Sequence, residues 1–523
     1  MTEINTEHRE AGAAGNGNVA AENGAQTNIK QDQKYLVKSA LYNLVGTILK
    51  VIAPVMMIVV ARVFDKAIFG VFVSTQLWVL TMSRVAVLGL DKGLHRHLPQ
   101  NLVQGRPRYE GVMESAYRTI LFAVIITVVG LFAAQLNLHE LSSGLSMLST
   151  AEISLYLLSV LPWSLLHIFA GASEGNRRPQ YKMFINDFAV YTLAPVIALG
   201  IYFLGLADKL ALPIGLLAAN CLGVVAFYFV TKMQFPEMPW ITKAKLPPGL
   251  LSYSLPLGFS EVVTSFLLRM DLWMVLALIG PEAAGVYAVM VTISNGLKTI
   301  RQSYNPILTP VVAGMDETRI KTDLKPVFSY CVSMVTLIQL AIGFFIVLFP
   351  EQTMMIAGKS FITEENPVAV LGILMIGNLI NGMFGLAGPV INGLGRSKFM
   401  LLMNVVSLVV AVGLNYLLIP KFGIAGAAIS SMGYQILQCV WMNIYVYRMI
   451  GFFPYKLSLS VQGVWITGLV VLYIALNNAS FGFAPGLLAK GIMYGAAILV
   501  ILATFYFQGL AGQKAKLPKR KKK

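Results

Sequence analysis

The chain of 523 residues is 56% hydrophobic and 12% charged, and its apolar residues fall in many separate runs. Soluble domains carry about 25% charged residues, so the composition excludes a soluble protein and indicates a polytopic membrane protein. The formal charge of +16 does not mark a nucleic-acid binder, because the cations lie in short loops and a C-terminal tail, where the positive-inside rule expects them.

Residues 1–34 are polar and lack the apolar core of a signal peptide; they read as a disordered cytoplasmic tail. A membrane span needs about 20 predominantly apolar residues. That ruler predicts an all-α fold of fourteen transmembrane helices, near 39–61, 68–90, 115–135, 153–173, 184–205, 210–232, 254–279, 284–305, 327–349, 369–391, 401–419, 423–447, 459–477 and 487–508. Residues 511–523 form a basic tail ending in LPKRKKK. With the N-terminus in the cytoplasm, 29 loop and tail Lys/Arg lie inside and six outside. Both termini are therefore expected on the cytoplasmic face of the inner membrane, in keeping with an even number of spans.

Cys221, Cys331 and Cys439 fall inside apolar spans at spacings that suit neither a disulfide framework nor a metal site. The five histidines make no zinc pattern, and His95-Arg96-His97 reads as an interfacial loop feature. No P-loop, nucleophile elbow or metal motif is present, so no cofactor is expected.

The chain repeats itself weakly. Gly70-Val71-Phe72 matches Gly285-Val286-Tyr287 at an offset of 215. Gly175, Arg178 and Asn186 match Gly393, Arg396 and Asn404 at 218, and Gly205-Leu206-Ala207 matches Gly423-Ile424-Ala425 at the same offset. The implied unit is six spans, an even number, so the copies are parallel and related by an axis along the membrane normal. This predicts an N-terminal six-helix lobe over 35–235, a C-terminal one over 236–450, and two additional helices over 451–510, with a central cavity between the lobes.

Several charges sit at membrane depth: Lys50, Arg84, Arg269, Lys298 and Arg301, against Glu261 and Asp271. A charge at the bilayer centre costs about 2.5–3.5 kcal/mol on insertion scales and persists mainly where it faces a bundle interior or a watery cavity. Lys50 is central, has no acid in its own run, and precedes Pro54, which loosens the helix beside it. Glu261, Ser265 and Arg269 lie at i, i+4 and i+8, with Asp271 opposite; Lys298 and Arg301 share a polar face with Asn295, Gln302 and Asn305. A cation majority on the first two helices of each repeat suits a phosphate or pyrophosphate. Lys298 and Arg301 snorkelling to an interface, and Arg269 pairing with Glu261, are the competing structural readings. Glu261 or Asp271 is also a candidate for binding a coupling proton or sodium ion.

The connection ARVFDKAIFGVF, its counterpart GPEAAGVYAV, and the stretch NGLGRSKFMLLMNVVSLVVAVGLNYLLIPKFGIAGAAIS resemble the polysaccharide transporter branch of the multidrug/oligosaccharidyl-lipid/polysaccharide exporter superfamily, near the O-antigen flippases. The resemblance covers about residues 35–510. It implies two six-helix lobes around a cavity that opens alternately to each face, with a polyprenyl-pyrophosphate-linked oligosaccharide as substrate. It also implies phosphate contacts from cavity cations, for which Lys50, Arg84 and Arg269 are best placed. Membrane lipids, and the glycosyltransferases and polymerase of a polysaccharide pathway, are the implied partners. Fourteen spans are similar to lipid II flippases and some exopolysaccharide transporters, which leaves the exact substrate open. A multidrug exporter of the same superfamily, which would favour an acidic and aromatic cavity, and a non-transporting subunit of a polysaccharide-secretion complex, in which the charges would pair off, are the alternatives. A membrane glycosyltransferase is disfavoured by the short external loops.

Overall fold

The computed structural model describes residues 52–103, 108–136, 146–176, 178–205, 209–239, 250–313, 315, 317–362, 367–451, 464–469, 471–472 and 486–505. The first predicted span falls largely outside these residues, as do Lys50 and most of the thirteenth.

Among the described residues the chain is helical. In chain order the helices are α1 (Ile52–Val63), α2 (Lys66–Val87), α3 (Leu90–Val103), α4 (Arg108–Gln135), α5 (Thr150–Leu158), α6 (Val160–Gly175), a π-helix (Lys182–Val190) continuing into α7 (Tyr191–Phe203), α8 (Ala211–Gln234), α9 (Leu250–Leu267), α10 (Met270–Leu278), α11 (Pro281–Gln302), α12 (Asn305–Ala313), α13 (Glu317–Leu348), α14 (Pro350–Met355), α15 (Pro367–Phe384), α16 (Ala387–Gly393), α17 (Ser397–Ile450) and α18 (Leu487–Phe505). Eight described helices are long and apolar enough to cross a membrane, or nine if α15 and α16, bent by 40°, form one span. Helices are the expected solution, because every backbone group in hydrocarbon must be satisfied internally. The outward faces are correspondingly apolar: on α4, Val129 and Phe132 are 63% and 62% exposed.

Local chemistry fixes the element ends. Asp65 caps α2, its carboxylate accepting from the Ala67 N–H at 3.1 Å, and a Ser149/Glu152 capping box opens α5. The 54-residue α17 is far longer than a bilayer requires. It is interrupted at Gly423, whose φ of 59° is left-handed. Ser430 Oγ donates to the Ala411 carbonyl, and Gly433 packs on Leu414. These pairs are nearly symmetric about Gly423, so the two halves fold back as a hairpin, as the separate spans 401–419 and 423–447 anticipate.

Helices α3–α8 pack chiefly among themselves, and so do α10–α13 and α15–α17, while α2 and α9 pack chiefly across to the other group. The two groups meet where α2 crosses α11 and where α3 crosses α9. Both crossings depend on glycine. A Cβ on Gly70 would strike the Gly285 backbone, and one on Gly285 would strike the Lys66 carbonyl. The two glycines related by the 215-residue offset therefore touch each other. Lys66 Nζ adds an ion pair to Glu282 at 2.7 Å beside them. At the opposite end of α2, Gly89 and Gly258 abut in the same reciprocal way.

Candidate functional site

Polar groups in the interior gather in two places. The first lies around Asp271 in the C-terminal group. The sequence places Glu261 and Arg269 on one helical face, but the helix breaks between them. α9 ends at Leu267, Arg269 is non-helical with φ −131°, and α10 restarts at Met270. No proline or glycine marks the break. It exposes the first turn of α10, where Asp271 Oδ1 accepts from the Leu272 N–H at 2.9 Å. Its other oxygen accepts from the buried Tyr287 hydroxyl at 2.8 Å. Broken helices of this kind line substrate sites in transporters, because the freed backbone groups need a cavity or protein partners.

Arg269 and Lys298 both lie within electrostatic reach of Asp271, and Lys298 also feels Arg269 and Arg301. Two cations thus share one carboxylate, and a third, Arg301, stands beside Lys298. Arg301 does not turn outward. Its Nη1 donates to the Gly385 carbonyl at 3.3 Å, at the bend between α15 and α16, and its Nε is buried without a partner. Amide side chains hold α11 in place beside it: Asn378 donates to the Ser294 carbonyl at 3.1 Å and Gln339 to the Leu297 carbonyl at 2.7 Å. Such side-chain bonds across helices replace the hydrophobic attraction that a bilayer does not supply. Arg269, Lys298 and Arg301 nonetheless keep part of their surface open to a water-sized probe.

The second place is a chamber of about 260 Å³ in the N-terminal group, between α2, α3, α6 and the π-helix. Arg84, from the last turn of α2, reaches Asp91 at 3.1 Å. The left-handed Leu88 and Gly89 between α2 and α3 turn the chain back to allow this. The Gly89–Gly258 contact brings α9 alongside, so Glu261 stands 4.0 Å from Arg84. Arg84 is therefore the structure's ion partner for Glu261, and no Glu261–Arg269 pair forms among the described residues. Deeper in, Glu174 takes both Lys182 Nζ at 2.8 Å and His95 Nε2 at 3.0 Å. Asn186 donates to Asp187 at 3.0 Å. Tyr191, where the π-helix ends, feels both Arg84 and Arg269 and so links the two places.

The sequence reading missed most of this chamber. It assigned Lys182 to a cytoplasmic loop and His95 to an interface. The available signal was the pair of acids, Glu174 and Asp187, at the edges of apolar runs. A third cavity, of about 370 Å³, is apolar and lies apart from the charges, between α2, α4, α5 and α10; Trp78, Leu148, Tyr156 and Leu276 line it. Among the described residues no cluster of His, Cys, Asp or Glu is arranged to hold a metal ion.

Comparison with known proteins identifies the fold. The model of the polysaccharide biosynthesis protein family matches residues 36–315, and the MatE model matches 256–417. No curated protein sequence matches the chain. The fold is similar to the lipid II flippase MurJ in an inward closed conformation, with a TM-score of 0.65 and 11% identity, covering 90% of this chain and 99% of that one. It is similar to an inward-facing multidrug resistance MATE transporter of the MOP superfamily, with a TM-score of 0.61 and 14% identity, covering 79% of this chain and 98% of that one. It is also similar to a MOP superfamily transporter from Pyrococcus furiosus whose binding pocket has reverse polarity, with a TM-score of 0.56 and 14% identity, covering 80% and 96%. The chain is a multi-pass membrane protein with the fold of these transporters, and with more than half its length matched it belongs to the polysaccharide biosynthesis protein family.

Proposed function

We propose that the chain flips a polyprenyl-pyrophosphate-linked oligosaccharide across the cytoplasmic membrane by alternating access, for surface polysaccharide assembly. One observation carries the reading: Arg269 and Lys298 both lie within electrostatic reach of the single carboxylate of Asp271, at a broken helix, and Arg301 adds a third cation beside Lys298. An uncompensated cation in low dielectric is costly unless a counter-charge arrives. A pyrophosphate is such a counter-charge, and arginine's planar fork suits it. A multidrug exporter for cationic compounds would need the opposite balance.

Fourteen spans, two parallel six-helix lobes over 35–235 and 236–450, and cytoplasmic termini complete the proposal. The touching of Gly70 and Gly285 supports the repeat, because equivalent residues of a parallel repeat meet at its axis. Substrate moves laterally from the inner leaflet, its pyrophosphate meets the cations, and its glycan occupies the hydrated space while the hydrocarbon tail stays in lipid. Lys50 joins the cation set in this proposal. Glu261, beside Arg84, and Asp271, amid the cations, remain the candidates for an ion that couples transport. Glycosyltransferases and a polymerase of the same pathway are the proposed partners.

The test is complementation in a strain lacking the chain. Lys50→Ala, and the double variant Arg84→Ala/Arg269→Ala, are expected to reach the membrane, to abolish surface glycan and to leave lipid-linked precursor in the inner leaflet. Lys50→Arg is expected to keep partial function, because the charge survives with altered geometry. Wild-type glycan export in both alanine variants would refute the pyrophosphate reading.

A further inference from the structure

The N-terminal chamber differs from the cation cluster in its charge balance. Arg84, Lys92 and Lys182 line it together with Asp91, Glu174 and Asp187. Three positive groups face three negative ones. A phosphate would find no net attraction there. A metal cation would meet two lysines and an arginine, which hard oxygen-ligand sites avoid.

Unused hydrogen-bonding capacity nevertheless remains. His167 is 5% exposed and Asn186 is 8% exposed, and both line the chamber. His167 Nε2 and Asn186 Oδ1 are buried with no hydrogen-bond partner. Buried polar atoms of this kind normally find a partner, and each one left unmade costs about 1–3 kcal/mol. Both atoms belong to side chains that line one polar cavity, where a small side-chain rotation would offer them to a ligand that supplies hydrogen bonds. The π-helix at Lys182–Val190 puts Asn186 there, and π-helical turns are frequent at functional sites. Lys92 lines both this chamber and a neighbouring cavity of about 370 Å³ between α3 and α9, so the chamber borders the junction of the two helix groups.

We infer that this chamber is a sugar subsite: it takes one neutral, polyhydroxylated ring of the glycan while the pyrophosphate occupies the cation cluster. A hydroxyl is both donor and acceptor, so a sugar ring is matched by a wall that interleaves ammonium, guanidinium and imidazole donors with carboxylate and amide acceptors. Hydrogen bonds to the charged groups are the stronger kind. At about 260 Å³ the chamber is smaller than the roughly 300–1,000 Å³ of pockets for drug-sized ligands. That is room for one ring and not for an oligosaccharide. Tyr191 lines the chamber and lies within electrostatic reach of both Arg84 and Arg269. The inference rests on the flippase reading and adds a division of the substrate between two regions of the protein.

Two probes separate the claims. One is undecaprenyl pyrophosphate without sugar; the other is the lipid-linked oligosaccharide that accumulates in a strain lacking this chain. Binding of each is measured on the full-length protein in lipid nanodiscs. The wild type is expected to bind the sugar-bearing probe about tenfold tighter than the sugar-free one. Asn186→Leu is expected to cut that advantage about three- to tenfold without changing affinity for undecaprenyl pyrophosphate. Lys92→Gln, at a half-exposed position with little structural cost, is expected to act in the same direction and serves if Asn186→Leu misfolds. An undiminished advantage in both variants, an equal weakening of both probes, or a loss confined to the pH dependence of transport would overturn the sugar subsite. Failure of the wild type to bind either probe would refute the flippase reading itself, and the subsite with it.

Discussion

The two polar regions in the interior handle charge in opposite ways. In the N-terminal chamber the main ionic pairs lie within the protein: Arg84 with Asp91, and Lys182 and His95 with Glu174. Around Asp271, Arg269 and Lys298 share a single acid that is already bonded to Tyr287 and to the backbone of α10, and Arg301 adds a further cation beside Lys298. Paired charges inside a protein are held by their partners, and removing one partner leaves the other stranded. Unbalanced buried charges are costly unless a counter-charge reaches them. The difference teaches that depth in the membrane does not by itself mark a binding residue; the count of opposing charges around it does.

The comparison is broken most forcefully at Asp271. Asp271→Ala takes the opposing charge from Arg269 and Lys298 and strips Tyr287 of its acceptor. A loss of about 3–5 kcal/mol is expected, read as a large drop in thermal stability of the purified protein. A melting point equal to wild type would mean that the cations do not depend on this acid. Glu174→Gln tests the balanced side. It removes the partner of Lys182 and His95 in a partly buried network, for an expected loss of about 1–3 kcal/mol, with the cation cluster untouched. Stability unchanged by this substitution would show the chamber's pairs to be incidental. The smallest effect belongs to the ion pair at the crossing of α2 and α11. Glu282 is 65% exposed there, so Lys66→Ala is expected to cost about 0–1 kcal/mol and to lose even that at high salt. A larger loss would make this pair a structural latch between the two helix groups.

Some of this was legible in the sequence and some was not, for physical reasons. Apolar runs of bilayer length foretold the helices, because hydrophobic length is a local property. Gly70 and Gly285, matched in the sequence, touch in the structure, because a close helix crossing needs glycine. The division between the expected spans 401–419 and 423–447 falls where α17 is interrupted, at Gly423. The break at Leu268–Arg269 was hidden: ordinary helix-forming residues flank it, and it is held by packing from other helices and by the bonds of Asp271 to the Leu272 N–H and the Tyr287 hydroxyl. The chamber was hidden for a similar reason. Lys182 looks like a loop cation because it follows Arg177 and Arg178, but the π-helix carries it to Glu174, a contact that depends on the packing of the π-helix against α6. The expected Glu261–Arg269 pairing assumed one unbroken helix, and the break sent Glu261 to Arg84 instead.

Direct binding of undecaprenyl pyrophosphate to the full-length protein and to Lys298→Ala tests the central claim. If the excess cations exist for a pyrophosphate, affinity falls about tenfold or more, and thermal stability holds or rises because one uncompensated charge is gone. Unchanged affinity, or a loss of stability comparable to that of Asp271→Ala, would show that Lys298 is a structural partner of Asp271 and not part of a substrate site.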